Sequence, residues 1–271
     1  LTGGYVLNWY GKRTLVTTSL RAGTDLLDLA DRISAETGVP RVPRDNRSLK
    51  ALLGHYEADG LVVVEAERVF FTDGSVEFFF HPGLAVLRIV EIRKGKNDQM
   101  IAAMDLKPGQ RVLDCTLGLG NDALVASYVT GENGQVLGLE SSPIVAALVR
   151  HGMRTYNRSS RAVRDSMRRI EIKCADHRVI LASLPPDSYD VVYLDPMFSC
   201  PLKKSSGINS LRPLADHRPL TSEVTALALR VARKRVVVKD IRWGNRLRDL
   251  GFSHLTGGRK SPIAFGILLK E

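Results

Sequence analysis

The sequence predicts an α/β protein: a mainly parallel sheet with helices on both faces, preceded by a small α+β amino-terminal domain. Three observations carry this. From Gln110 onward, short apolar runs alternate with helical runs, the pattern of strands joined by helical crossovers. The first of these runs leads into a glycine turn, "DCTLGLGNDA" (residues 114–123), that opens a helix. Before residue 86 the β-type runs are short and split by charged residues.

The elements follow in order. Residues 1–13 read as an extension and are given no function. Leu26, Leu27, Leu29, Ala30 and Ile33 recur at helical spacing, which predicts a helix over 24–37, and a second short helix fits 48–55. Residues 61–65, 68–71 and 76–80 read as strands, completing an amino-terminal domain of residues 1–85. The polar break "RKGKNDQM" (93–100) precedes a helix over about 98–105. In the second domain, residues 86–271, strands are predicted at 111–115, 135–140, 170–174, 190–194 and 235–239. Helices are predicted at 121–130, 143–156 and 222–233. In such a sheet, ligands bind at the carboxyl ends of the strands, near the point where strand order reverses.

At 271 residues and 44% hydrophobic, the chain can bury a substantial core. No run is long and apolar enough to span a membrane and no signal-peptide pattern opens the chain, so a cytoplasmic location is expected. Cys115, Cys174 and Cys200 are too scattered for a disulfide framework or a zinc site, and no metal is expected. Cys115 and Cys174 read as small core residues and Cys200 as a loop thiol. The formal charge of +10 is unevenly placed: residues 1–85 carry 9 basic and 11 acidic side chains, residues 86–271 carry 30 and 18. Clusters at 150–173 and 230–248 point to a polyanion such as RNA, or to solvated helix faces.

The strand ends supply the candidate site. Gly118 and Gly120 sit where a strand turns into a helix whose free N–H groups can face a ligand. Glu140 closes the next strand, where a carboxylate can accept both hydroxyls of a ribose. Dinucleotides and S-adenosylmethionine both fit a glycine turn followed by such an acid. Asp114 beside the turn repels a pyrophosphate and suits the ammonium of a methionine moiety, which favours S-adenosylmethionine. Asp176, after the third strand, is placed to accept the adenine amino group or to cap a helix, with His177 beside it. "LDPMF" (194–198) follows the fourth strand. There Asp195 and the Pro196 carbonyl can accept the two hydrogens of an exocyclic amine, and Phe198 can stack on the base.

These loops carry a resemblance. "LDPMF" followed by Lys204 and Ser205, "ARKRVVVK" (232–239) and "DCTLGLGNDALVAS" (114–127) resemble the bacterial 16S ribosomal RNA guanine-N2 methyltransferase family and its relatives. The resemblance covers roughly residues 80–239. It implies a class I methyltransferase, Rossmann-like fold, S-adenosylmethionine as donor and a guanine N2 of small-subunit RNA as acceptor. By motif position it carries the family's cofactor contacts to Asn121, Asp122, Glu140, Ser141, Asp176 and Asp195. Ser199, Cys200 and Pro201 depart from the family, which more often has proline directly after the phenylalanine. A methyltransferase for a protein or small molecule, a nicotinamide-dependent oxidoreductase and a noncatalytic RNA-binding protein are the competing readings.

Overall fold

The structure is a computed structural model and describes residues 11–197, 210–258 and 261–271. Phe198, Ser199, Cys200, Pro201, Lys204 and Ser205 lie outside the described residues. The chain forms two compact units.

The first unit takes in the described residues up to His81, Ser142–Thr155 and 210–214. Its sheet has the order β1-β2-β3-β4, with β1 (Thr14–Thr18) parallel to β2 (Gly60–Val64), and β3 (Val69–Thr72) and β4 (Glu77–Phe79) added antiparallel. Alternate residues of a strand face opposite sides. Leu61 and Val63 therefore join Leu15, Phe70 and Leu52 of α2 (Leu49–Tyr56) in one apolar cluster. Helix α1 (Thr24–Thr37) packs on β1 and β2, and α6 (Pro143–Thr155) on β3 and β4. The sequence reading assigns no element to β1, which is tied in at its start: Arg13 N–H donates to Asp59 Oδ2 at 2.7 Å and Asp59 N–H to the Arg13 carbonyl.

The second unit holds a seven-stranded sheet. Its strands in chain order are β5 (Arg111–Asp114), β6 (Gln135–Glu140), β7 (Ile170–Cys174), β8 (Tyr189–Leu194), β9 (Ala232–Ile241), β10 (His254–Thr256) and β11 (Ile263–Leu269). Across the sheet the order is β10-β11-β9-β8-β5-β6-β7, parallel from β9 to β7, with β11 antiparallel to β9 and to β10. The sequence predicts five of these strands; the closing pair, β10 and β11, is antiparallel and so lies outside the strand-helix alternation. Leu113, Val192, Val236 and Val238 face one side and pack under the helix Ser222–Val231 through Val224, Ala228 and Val231. Each such side chain, fully buried, contributes about 1.5–3 kcal/mol. The helices α3 (Gly83–Arg93), α4 (Gln99–Met104), α5 (Asn121–Thr130), α7 (Arg161–Arg169) and α8 (His177–Ser183) complete the unit.

Strand order reverses at β5, which lies between β6 and β8. The crevice of an open parallel sheet therefore falls at the carboxyl ends of β5 and β8, where Asp114 and Asp195 stand. Cys115 is buried in the core, but Cys174 is exposed, a correction to the sequence reading: β7 is the sheet's edge strand and its last residues are open.

Candidate active site

The glycine turn is built from both sides of β5. Gly118 (φ 50°) and Gly120 (φ 71°) adopt left-handed backbone that costs an L side chain roughly 1–2 kcal/mol, which is why glycine stands there. Gly120 is the N-cap of α5, so the first free N–H groups of a ten-residue helix follow the turn. The turn is pinned to β6: Leu117 N–H donates to the Leu139 carbonyl at 2.9 Å, and Gly118 N–H to Glu140 Oε2 at 3.0 Å. Glu140, buried at the end of its strand, thus orders the loop.

The sheet register assembles the rest. Asp114 pairs with Tyr193 and Tyr193 with Val237, so period-two alternation sets Asp114, Tyr193 and Lys239 on one face, beside the start of α5. There Lys239 Nζ bridges Asp122 Oδ2 at 3.0 Å and Asp195 Oδ2 at 2.7 Å. Tyr193 donates its hydroxyl to Asp122 Oδ2 at 2.8 Å, and Arg88 its guanidinium to Asp122 Oδ1 at 2.5 Å. Arg88 also forks onto Asp98 at 2.7 and 2.8 Å. Asp195 N–H donates to Thr116 Oγ1 at 2.6 Å, which ties the loop after β8 to the loop after β5. Asp195 Oδ1 and the Pro196 carbonyl have no hydrogen-bond partner among the described residues.

Charge follows from this geometry. Burial opposes ionisation of Asp122, but Lys239, Arg88 and the Tyr193 hydroxyl outweigh it and hold the carboxyl well below the usual range. Burial likewise lowers the Lys239 ammonium, and the two carboxylates more than offset it. Asp195 is raised, first by burial and then by Asp122, with Lys239 opposing. Asp114 is pushed up to about 8, first by burial and then by the charges of Asp122 and Asp195, against one hydrogen bond from Thr116 N–H and the charge of Lys239.

Of the other residues singled out in the sequence, Asp176 caps α8 through Arg178 N–H at 2.9 Å and pairs with Arg218 at 2.8 Å. Ala175 N–H donates to the Glu140 carbonyl, which holds Asp176 and Glu140 on neighbouring strand ends. His177 is partly buried; burial and Arg178 lower its imidazole, and Nε2 has no partner among the described residues. Ser141 directly follows β6. Asn121 Oδ1 is buried beside the glycine turn and also lacks a partner among the described residues. A cavity of about 510 Å³ is lined by Lys239, Asp122, Arg88, Asp98 and Phe265, but not by Asp195.

A family model of SAM-dependent methyltransferases matches residues 55–261. The chain belongs to that family. The methyltransferase is similar to YpiP of Bacillus subtilis (strain 168), 38% identical over 88% of this chain and 93% of that protein. It is also similar to proteins named ribosomal RNA small subunit methyltransferase J, from Dechloromonas aromatica (strain RCB) at 36% identity and from Buchnera aphidicola at 30%. Those two alignments span 61% and 58% of this chain and less than two thirds of the relatives' own length, 66% and 63%. Among solved structures, the SAM-dependent methyltransferase NGO1261 of Neisseria gonorrhoeae superposes with a TM-score of 0.63 at 20% identity, covering 94% of this chain and 95% of that one. That likeness shows the class I fold.

The residues present fit S-adenosylmethionine. Among the described residues, a buried carboxyl at Asp114 with no cation bonded to it and an orphaned Asn121 oxygen suit the cationic groups of a zwitterionic, sulfonium-bearing ligand and disfavour a pyrophosphate, while the glycine turn at the start of α5 can take the ligand's carboxylate. Sequence reasoning missed Arg88, Asp98, Thr116 and Tyr193, and used Lys239 only as the end of a motif. Lys239 had a signal: a lysine that ends the run "VVV" in an interior strand marks a polar strand end next to Asp195. No group of three or more His, Cys, Asp or Glu suited to a metal ion occurs among the described residues, and no described helix is long and apolar enough to cross a membrane.

Proposed function

We propose that this methyltransferase acts on an exocyclic amine of a nucleic-acid base, with guanine N2 in small-subunit ribosomal RNA as the leading acceptor. The observation that carries the reading is the Asp195–Pro196 pair at the carboxyl end of β8. One carboxylate oxygen is held by Lys239 and the other has no partner among the described residues, next to a carbonyl without one. An aromatic amine delocalises its lone pair into the ring. Two acceptors on its hydrogens redirect that pair along a line set by the protein. Names of relatives support RNA as the acceptor, and so does the basic excess of residues 86–271.

In this reading Asp114, Gly118, Gly120, Asn121 and Ser141 hold the methionine end of the cofactor, Glu140 the ribose, and Asp176 with His177 the adenine. When bound, S-adenosylmethionine supplies an electrophilic methyl group. Asp195 Oδ1 and the Pro196 carbonyl orient the amine, Phe198 stacks on the base, and the amine would release its proton to solvent as its bond to the methyl carbon forms and the methyl–sulfur bond breaks, leaving S-adenosylhomocysteine. Asp122 contributes by position, since Arg88, Tyr193 and Lys239 occupy both its oxygens. Lys239 is a positioning residue that fixes the Asp195 carboxylate and favours its ionised form. A cytoplasmic place of work follows from a ribosomal acceptor.

The test is transfer of a labelled methyl group from S-adenosylmethionine to unmodified small-subunit RNA and to intact subunits from a strain lacking the protein, followed by nucleoside mass spectrometry. Label in N2-methylguanosine is the expected result. Label in another nucleoside moves the acceptor atom; label in protein or a small molecule, surviving ribonuclease, overturns the RNA reading.

A further inference from the structure

Trp243 is 74% exposed, although tryptophan is among the side chains that gain most from burial. Its backbone is nevertheless firmly held. The turn follows β9 directly, and Gly244 N–H donates back to the Ile241 carbonyl at 3.3 Å. On one side Arg242 bonds the carbonyls of Ser261 and Gly258 at 3.0 and 2.8 Å. On the other, Arg246 bonds buried Asp240 at 2.8 Å and reaches the Met197 carbonyl at 3.4 Å. Met197 is the residue after Asp195-Pro196, so the turn that carries the indole is tied to the loop that would hold the acceptor amine. Around it Lys239, Arg242, Arg246 and Arg248 fall within ten residues of chain, against Asp240 and Asp249.

We propose that Trp243 is a stacking platform for a single-stranded nucleotide neighbouring the one that is methylated. An exposed, rigidly mounted aromatic in a basic segment suits a base with phosphates on either side: the ring supplies a sequence-tolerant stacking face, and the cations balance the backbone. The inference rests on the RNA reading above and deepens it by placing the strand that flanks the acceptor along the end of β9. It also requires the acceptor to lie in unpaired RNA, because a base inside a duplex offers no free face.

The test uses the full chain with Trp9→Phe, which leaves Trp243 the sole tryptophan of the two. Titration with a single-stranded oligoribonucleotide should quench its fluorescence, whereas heparin, a polyanion without bases, should not. In parallel, Trp243→Ala should raise the half-saturating RNA concentration on the order of tenfold, Trp243→Phe should restore most of the loss, and affinity for S-adenosylmethionine should stay unchanged. Methyl transfer to RNA with no quenching, or with equal RNA affinity in the alanine variant, overturns the platform and leaves the RNA reading standing. Quenching without any transfer to RNA leaves Trp243 a base-stacking residue but overturns its place beside a methylated nucleotide, together with the RNA reading. Equal quenching by heparin overturns the stacking role.

Discussion

At the scale of single residues, Asp114 is a buried carboxyl that burial raises more than its hydrogen bond from Thr116 N–H and the charge of Lys239 lower it. Its value of about 8 exceeds that of an unfolded chain, so the folded protein binds more protons than the unfolded one between about pH 4 and 8, and ligand-free stability falls as pH rises through that window. Asp114→Asn should remove this slope, making the variant relatively more stable at pH 8 than at pH 5 by chemical denaturation. The same change should weaken S-adenosylmethionine binding, and the wild-type affinity should rise between pH 6 and 8 as the carboxyl ionises. A flat wild-type stability profile would contradict the burial argument.

Lys239 belongs to the same scale. It is the only cation bonded to Asp195 among the described residues, and its charge opposes the burial that raises that carboxyl. Lys239→Met should lower kcat by about 10²-fold, the cost of losing one preorganised charged contact, while cofactor affinity changes little. The acid limb of the pH–rate profile should also move to higher pH, because Asp195 then holds its proton longer. A drop in kcat without that movement would mean that Lys239 acts only through folding.

At the scale of elements, the junction of β5 with α5 turns on two glycines with left-handed backbone, Gly118 and Gly120. Gly120 combines a left-handed φ of 71° with the N-cap position. Gly120→Ala should destabilise the protein by about 1 kcal/mol, read from urea denaturation, through the cost of left-handed backbone. The loss in cofactor affinity should be larger than in stability, because the free N–H groups at the start of α5 shift with the turn. Equal affinity would place the ligand elsewhere than at this helix terminus.

At the scale of the whole molecule, the basic cluster at 230–248 divides. β9 runs for ten residues, about 33 Å at 3.3 Å per residue, and the cluster gathers toward its two ends. Arg230, Arg233, Lys234 and Arg235 lie at its amino end and bond carbonyls, Asp190 or Asp105. Lys239, Arg242, Arg246 and Arg248 lie at the end that carries the candidate site. RNA affinity should fall with salt in proportion to the phosphates neutralised, and Arg248→Ala should reduce that slope by about one. Arg233→Ala, at the far end, should leave it unchanged; equal effects of the two would mean that RNA is not bound at the carboxyl edge.

Much of this was legible in the sequence. The order of strands and helices, the glycine turn and the acids at strand ends follow from local periodicity and turn chemistry, which a short window of residues already contains. Asp114, Glu140 and Asp195 stand out because each ends or directly follows an apolar run, and Asp176 because it follows the next strand in the alternation. What only the tertiary structure decided is what those groups touch. Arg88 reaches Asp122 across 34 positions and Lys239 reaches it across 117, and no local pattern records such a pairing. The β10–β11 hairpin and the division of the basic cluster were hidden for the same reason. Side-chain type and spacing are set along the chain, whereas ion pairing, burial and the pKa values that follow depend on which strands become neighbours in the sheet.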